Sequence, residues 1–114
     1  MRYALLIYGN EAADSQASSQ EQEAVMAAYL AFGEKYKSQI TDGDALLPTS
    51  SATTVRMRDS KVLATDGPFA ETKEQLGGYY VVNCKDLDEA IQIASDIPGA
   101  SVGSIEVRPI MEFD

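Results

Sequence analysis

Hydrophobic and polar residues are arranged in five short segments that predict β-strands. Two segments are apolar on both alternations, and such strands are normally buried on both faces of a sheet. The other three alternate more strictly, and two of them flank Asp59-Ser60 as the strands of a β-hairpin. The two-sided strands are 2–8 and 78–84, and the alternating strands are 53–58, 61–65 and 104–108.

Two further segments have the three- and four-residue spacing of amphipathic helices. The first begins at a capping box over 18–21, and we expect it to end at Asp42-Gly43. A short extended piece at 45–48 follows it. The second helix begins at Asp86 and stops at Pro98-Gly99. The apolar stripe of the first helix is Val25, Tyr29, Phe32, Tyr36 and Ile40.

The order of these elements predicts an α+β fold, a ferredoxin-like split βαβ sandwich with an inserted β-hairpin. Both helices then cover the same face of the sheet. The strands at 2–8 and 78–84 also carry apolar residues on the other face, which needs a partner. A second copy of the chain, packed sheet against sheet, is the simplest partner, so we expect a homodimer.

Composition and charge narrow the classes of function. Apolar residues make up 45% of the chain and charged residues 24%, as in ordinary globular proteins, so we expect one domain over 1–114. The net charge is −9 and the nine basic residues are scattered, which argues against nucleic acid and anionic membranes as partners. The N-terminal apolar run is too short for a signal peptide or a membrane span, and we expect a cytoplasmic protein.

Two residue types limit the available chemistry. Histidine is absent, which removes the commonest general base near neutral pH and the commonest transition-metal ligand. The single cysteine, Cys84, is expected to be a buried and inert thiol. We therefore predict neither a metal site nor a bound cofactor, and carboxylates, Lys73 and the tyrosines remain for proton chemistry.

The segment 66–74 is the most informative stretch, because it is longer and more charged than a connection between two strands requires. Gly67-Pro68 predicts a tight bend in which Gly67 is extended or has a positive φ. Asp66 either accepts hydrogen bonds within this bend or stands at the rim of a cleft as an acid, a base or an anchor. Glu71, Lys73 and Glu74 are either solvated or form a convergent polar cluster.

Together with 2–8, 53–56 and 105–109, the block 66–80 resembles the YCII-related proteins and, within them, the DGPF-domain branch. The resemblance covers nearly the whole chain and implies a dimeric α+β barrel built on a ferredoxin-like unit. It also implies a regulatory link to a sigma factor of the extracytoplasmic-function type. Wider relatives carry a His–Asp pair in a cleft. Without a histidine, this chain retains only Asp66, as part of the DGPF motif.

Three functions are consistent with these residues. The first is a small-ligand-binding or regulatory module with a polar cleft formed by the 66–74 loop. Its ligand contacts are Arg56, Tyr29, Tyr79 and Glu74. The second is a small-molecule enzyme without histidine, in which Asp66 or Glu71 is the acid or base and Lys73 is the charge partner. In the third, the motif is only a complex turn that shapes the protein and helps it dimerise.

Overall fold

The computed structural model describes residues 1–113, which form six strands, three α-helices and two short 3-10 turns. The strands are β1 (Arg2–Gly9), β2 (Ile40–Ala45), β3 (Thr53–Arg58), β4 (Lys61–Asp66), β5 (Gln75–Asn83) and β6 (Ser104–Pro109). The helices are α1 (Glu11–Asp14), α2 (Ser19–Lys35) and α3 (Leu87–Ser95), and the 3-10 turns are Thr49–Ser51 and Pro98–Ser101.

Four of the strands form one antiparallel sheet in the order β2-β5-β1-β6. This is the strand order of a ferredoxin-like fold, with β2 and β6 at the edges. Strands β3 and β4 form a separate two-stranded hairpin, which the chain inserts between β2 and β5. The predicted ferredoxin-like α+β fold with an inserted hairpin is therefore confirmed.

Both predicted helix starts are confirmed by their capping contacts. The Ser18 side chain accepts a hydrogen bond from the Glu21 backbone N–H at 3.1 Å, and its hydroxyl donates to the Glu21 carboxylate at 3.1 Å. Asp86 accepts from the Glu89 N–H at 3.0 Å, and Glu89 in turn accepts from the backbone N–H of Lys85 at 3.1 Å. These contacts are local, so the sequence alone specifies them.

The predicted end of the first helix, at Asp42-Gly43, is wrong. Helix α2 ends at Lys35, and Ile40 instead begins β2, where it pairs with Val82 of β5. Gly43 does not stop a helix. It faces the ring of Tyr80, to which a β-carbon at this position would approach within 2.7 Å. Pairing with the edge of β5 thus outweighs a helical spacing that continues through Ile40. The second helix also ends early, at Ser95.

The core lies between the helices and one face of the sheet. Leu5, Val82 and Ile93 are fully buried there, and Cys84 is buried beside them, as predicted. The apolar stripe of α2 reaches this core in the C-terminal half of the helix, where Tyr29 packs against it and Phe32 is buried, while Val25 is 52% exposed. The other members of the buried core are Tyr3, Tyr36, Ala90, Ala94 and Ile97.

Within residues 1–113, no helix covers the opposite face of the sheet. Ala4, Leu6 and Tyr8 alternate with the buried side of β1, and Val81 pairs with Ala4 on the same side. We call this the open face. The molecule is accordingly flat, with principal extents of 47 × 47 × 19 Å. Its radius of gyration is 16.1 Å, against about 13 Å for a compact chain of this length. No helix in the described part of the chain combines the length and hydropathy that a membrane crossing requires.

Candidate functional site

The bend at the start of the 66–74 loop is built on the hairpin. Gly67 has a φ of +99°, within the region that favours glycine. Its N–H donates to the carbonyl of Ala52 at 2.7 Å, and its carbonyl accepts from the Thr54 hydroxyl at 2.8 Å. The tight bend that Gly67-Pro68 predicts is present, and these two hydrogen bonds fix its position beside the start of β3.

Three charged side chains of this loop face solvent. Asp66, Glu71 and Lys73 are exposed, and none of them makes an ion pair or a side-chain hydrogen bond within residues 1–113. Asp66 therefore does not hold the bend together as a hydrogen-bond acceptor within the described chain. These side chains are free to contact a ligand or a second protein.

The end of the loop is fixed against the sheet. The Thr72 hydroxyl donates to the carbonyl of Glu74 at 2.5 Å, and the Gln75 amide donates to the carbonyl of Thr72 at 2.5 Å. The Glu74 carboxylate accepts from the hydroxyl of Ser104 at 2.8 Å. Ser104 pairs with Tyr8, so this contact brings Glu74 to the rim of the open face.

Arg56 and Asp66 do not meet within one chain. In the hairpin, Thr53 pairs with Asp66 and Arg56 pairs with Leu63 without a register shift. Side chains alternate along a strand, so Asp66 and Arg56 lie on opposite faces of the hairpin. A cluster that contains both requires Arg56 or Asp66 from another copy.

The two candidate tyrosines lie on opposite sides of the sheet. Tyr29 packs against the core on the helix side, beside Gly99, and its burial raises the pKa of its hydroxyl. Tyr80 also faces that side, with its ring 5.0 Å from the ring of Phe32. Tyr79, the preceding residue in β5, therefore faces the open side. Tyr29 and Tyr79 cannot line one pocket of a single chain.

Tyr79 and Asp44 form a polar contact on the open face. The Tyr79 hydroxyl donates to Oδ2 of Asp44 at 2.7 Å, and this hydrogen bond raises the pKa of Tyr79. Tyr79 therefore stays a neutral phenol at physiological pH, and its oxygen can still accept a hydrogen bond. Sequence reasoning missed Asp44 because it placed the Asp42-Gly43 pair at a helix end. The alternation of Asp42 and Asp44 around Gly43 was the available signal.

Two open concavities lie away from the candidate residues. One, of about 450 Å³, lies along the outer side of α2, and the other, of about 280 Å³, lies between α3 and β6. Neither is lined by a residue of the 66–74 loop. Within residues 1–113, no group of three or more Cys, Asp or Glu side chains is placed to hold a metal ion. Met26 and Leu30 line the first concavity, and Ile91, Ile105 and Val107 line the second.

Comparison with known proteins adds a family to this geometry. A family model described as the YCII-related domain matches residues 1–114. The chain belongs to the YCII-related family. It is also 44% identical over 114 residues to an uncharacterised protein of Rhizobium meliloti (strain 1021), and the match covers 96% of this chain and 92% of that protein.

A solved structure has the same fold as this YCII-related chain. It is the 5-chloro-2-hydroxyhydroquinone dehydrochlorinase of Burkholderia phenoliruptrix AC1100, in complex with 2,5-dihydroxybenzoquinone. The superposition has a TM-score of 0.58 and covers 99% of this chain and 96% of that chain. The sequences are 16% identical, so the likeness is one of fold.

Proposed function

We propose that this YCII-related protein of the DGPF branch binds a small polar ligand on its open face, at the edge formed by the 66–74 loop. The observation that carries the proposal is the combination of an uncovered apolar strand face with the Tyr79–Asp44 hydrogen bond. Ligand sites are mostly apolar, with a few fixed polar groups that set the orientation. Glu74, bonded to Ser104 of β6, lies at the opposite edge of the same face from Asp44 of β2.

The polar groups of this site favour a particular ligand chemistry. The free Oδ1 atom of Asp44 accepts hydrogen bonds, and the Tyr79 oxygen can also accept one. A ligand with hydroxyl or amine donors on a flat apolar ring would match these acceptors and the surface of Leu6 and Tyr8. The bound dihydroxybenzoquinone of the structural neighbour supports this class, since it is a small hydroxylated ring in a protein of the same fold.

A thermal-shift screen against hydroxylated aromatic compounds tests the proposal, because a ligand that binds the native state raises the melting temperature. We expect Tyr79→Phe and Asp44→Asn each to remove the response to a compound that stabilises the wild type. Tyr29→Phe is the matched control, since it removes a hydroxyl on the other side of the sheet. A response that survives both open-face substitutions, or that Tyr29→Phe removes equally, would contradict this location.

The proposal includes a homodimer. In a single chain the apolar residues of the open face are only half-buried, and a second copy packed sheet against sheet would cover them and enclose the ligand site between the two sheets. Light scattering at micromolar concentration should give about twice the monomer mass of 12.3 kDa. The regulatory form of this proposal has an extracytoplasmic-function sigma factor as partner, and co-purification with such a factor would test it.

The alternative is a small-molecule enzyme that uses Asp66 or Glu71 as the acid or base and Lys73 as the charge partner. Two observations favour it. These three side chains have no competing polar contact within residues 1–113, and the structural neighbour of the same fold is an enzyme. If turnover of a screened compound is found, Asp66→Asn or Glu71→Gln should abolish it. Turnover that persists in both variants would exclude Asp66 and Glu71 as the acid or base.

A further inference from the structure

The hairpin of residues 53–66, which we call the arm, is not packed onto the rest of its own chain. All six residues of β4 are exposed, and within residues 1–113 the two strands pack extensively only against each other. An isolated two-stranded hairpin is at best marginally stable in water. The arm therefore needs a surface beyond its own chain.

One face of the arm is apolar and the other is basic. Val55, Met57 and Val62 lie on the first face and are 62%, 57% and 67% exposed. Arg56 and Arg58 lie on the second face, opposite Leu63 and Lys61. The arm thus carries three of the nine basic residues, and with Asp59 and Asp66 its net charge is +1, in a chain whose net charge is −9. The body of the same chain is correspondingly acidic.

The charges that match the arm lie on β2. Asp42 and Asp44 face the open side, and neither makes an ion pair within residues 1–113. Arg56, Arg58 and Lys61 also make none there. Each chain therefore offers an unneutralised basic arm and an unneutralised acidic strand, which is the self-complementary arrangement that a two-fold dimer uses.

The surface area available for contact also favours a dimer in which the arm takes part. Strands of this length spaced as in a sheet give the open face a flat footprint of about 20 by 20 Å, or about 400 Å². A standard interface buries about 800 Å² on each partner. One face of the arm adds about 200 Å² by the same geometry, and the surface that the arm of the other copy covers adds a similar area, so sheet and arms together reach the required size.

We infer that the arm of each chain packs on a second copy, with Arg56 and Arg58 against Asp42 and Asp44 of that copy. This inference rests on the proposed homodimer. Its consequence for the site is direct, because Arg56 of one copy then lies beside the Tyr79–Asp44 contact of the other. The Arg56 guanidinium of one copy and the Tyr79 and Asp44 oxygen atoms of the other would come together only in the dimer.

A charge exchange between two variants tests the contact. The arm variant is Arg56→Glu with Arg58→Glu, and the body variant is Asp42→Lys with Asp44→Lys. In a homodimer of either variant, both arm contacts join like charges, so we expect dimerisation to weaken at least roughly tenfold. In a mixed dimer, both contacts join opposite charges. An equimolar mixture should therefore form heterodimers, counted by native mass spectrometry.

Lys37→Glu with Lys85→Glu is the matched control, because it changes the net charge by the same amount outside the arm and should leave the dimer intact. Heterodimer formation also establishes that both variants fold. A wild type that is dimeric, with homodimers of both variants equally stable, would overturn the arm contact and leave the proposed dimer standing. A wild type that is monomeric at tens of micromolar would overturn both, and would assign the arm to another partner.

Discussion

At the scale of single residues, alanine substitutions at Gly67 and at Gly33 should have opposite effects on stability. A β-carbon at either position meets no atom within 4 Å, so neither substitution causes a clash. Only Gly67 has a positive φ, at +99°. We therefore expect Gly67→Ala to lower the free energy of unfolding by about 1 kcal/mol through backbone strain.

Gly33→Ala is the control, since this glycine lies inside α2. Alanine there should raise the free energy of unfolding by about 0.5–1 kcal/mol, because glycine is a poor helix former. Urea unfolding at one protein concentration would compare the midpoints of the two variants with the wild type. Equal shifts of the same sign would mean that the bend does not depend on its positive φ.

At the scale of elements, α2 is tied to the end of α3 by a polar contact. Asp96 accepts hydrogen bonds from Lys35 at 2.8 Å and from the Tyr36 hydroxyl. The hydrogen bond from Lys35 contributes most to lowering the pKa of Asp96 below its ordinary 3.8, and that from Tyr36 adds to the effect. A carboxyl whose folded-state pKa is lowered stabilises the fold above its unfolded pKa, and this stability is lost as the pH falls through the folded value.

We therefore expect the wild type to lose more stability than Asp96→Asn when the pH falls from about 5 to about 2. The contact raises the pKa of Lys35 and of Tyr36, so its contribution should also be lost above about pH 10. Urea midpoints measured along this range would show the difference. Parallel curves for the two proteins would mean that Asp96 makes no net contribution to stability.

The same scale explains what the sequence could predict. The side chains of Ser18 and Asp86 each accept a hydrogen bond from the backbone N–H three residues later. These local contacts are why the sequence predicts both helix starts correctly. Strand β2 is different, since Ile40 follows the helical spacing and only its pairing with Val82 makes it a strand. The failure to predict β2 also affects the list of predicted site residues. The motif at the start of the second two-sided strand identifies Tyr79 as a candidate. Asp44, 35 residues away, is not identified because the sequence does not predict the strand that carries it.

The sequence locates the loop residues but does not show which of them lie close together. The length and charge of the segment 66–74 identify it as a candidate site. Gly67 has a positive φ, one of the two conformations predicted for it in the bend. Whether its charges converge depends on which hairpin face each side chain occupies, and the two-residue turn at Asp59-Ser60 sets this through the register. The observed register separates Arg56 from Asp66. Their meeting would depend on a second chain, which no single sequence pattern describes.

At the scale of the whole molecule, the open face and the arm make stability depend on concentration. If dimerisation covers both surfaces, the native state gains free energy by mass action. We expect the melting temperature of the wild type to rise as the protein concentration is raised from about 1 to about 100 µM. The arm variant, with Arg56→Glu and Arg58→Glu, should show a smaller dependence in the same calorimetric series. A concentration-independent melting temperature for the wild type would contradict this coupling.

The arm also has two lateral edges, because in the described part of the chain β3 and β4 pair only with each other. Unpaired strand edges with apolar side chains are templates for the addition of further strands, and this is how fibrils grow. Arg58 and Lys61 stand at the tip of both edges, and like charges there disfavour the pairing of one arm with another. The basic residues of the arm thus favour a closed pair of chains and at the same time oppose open-ended polymerisation.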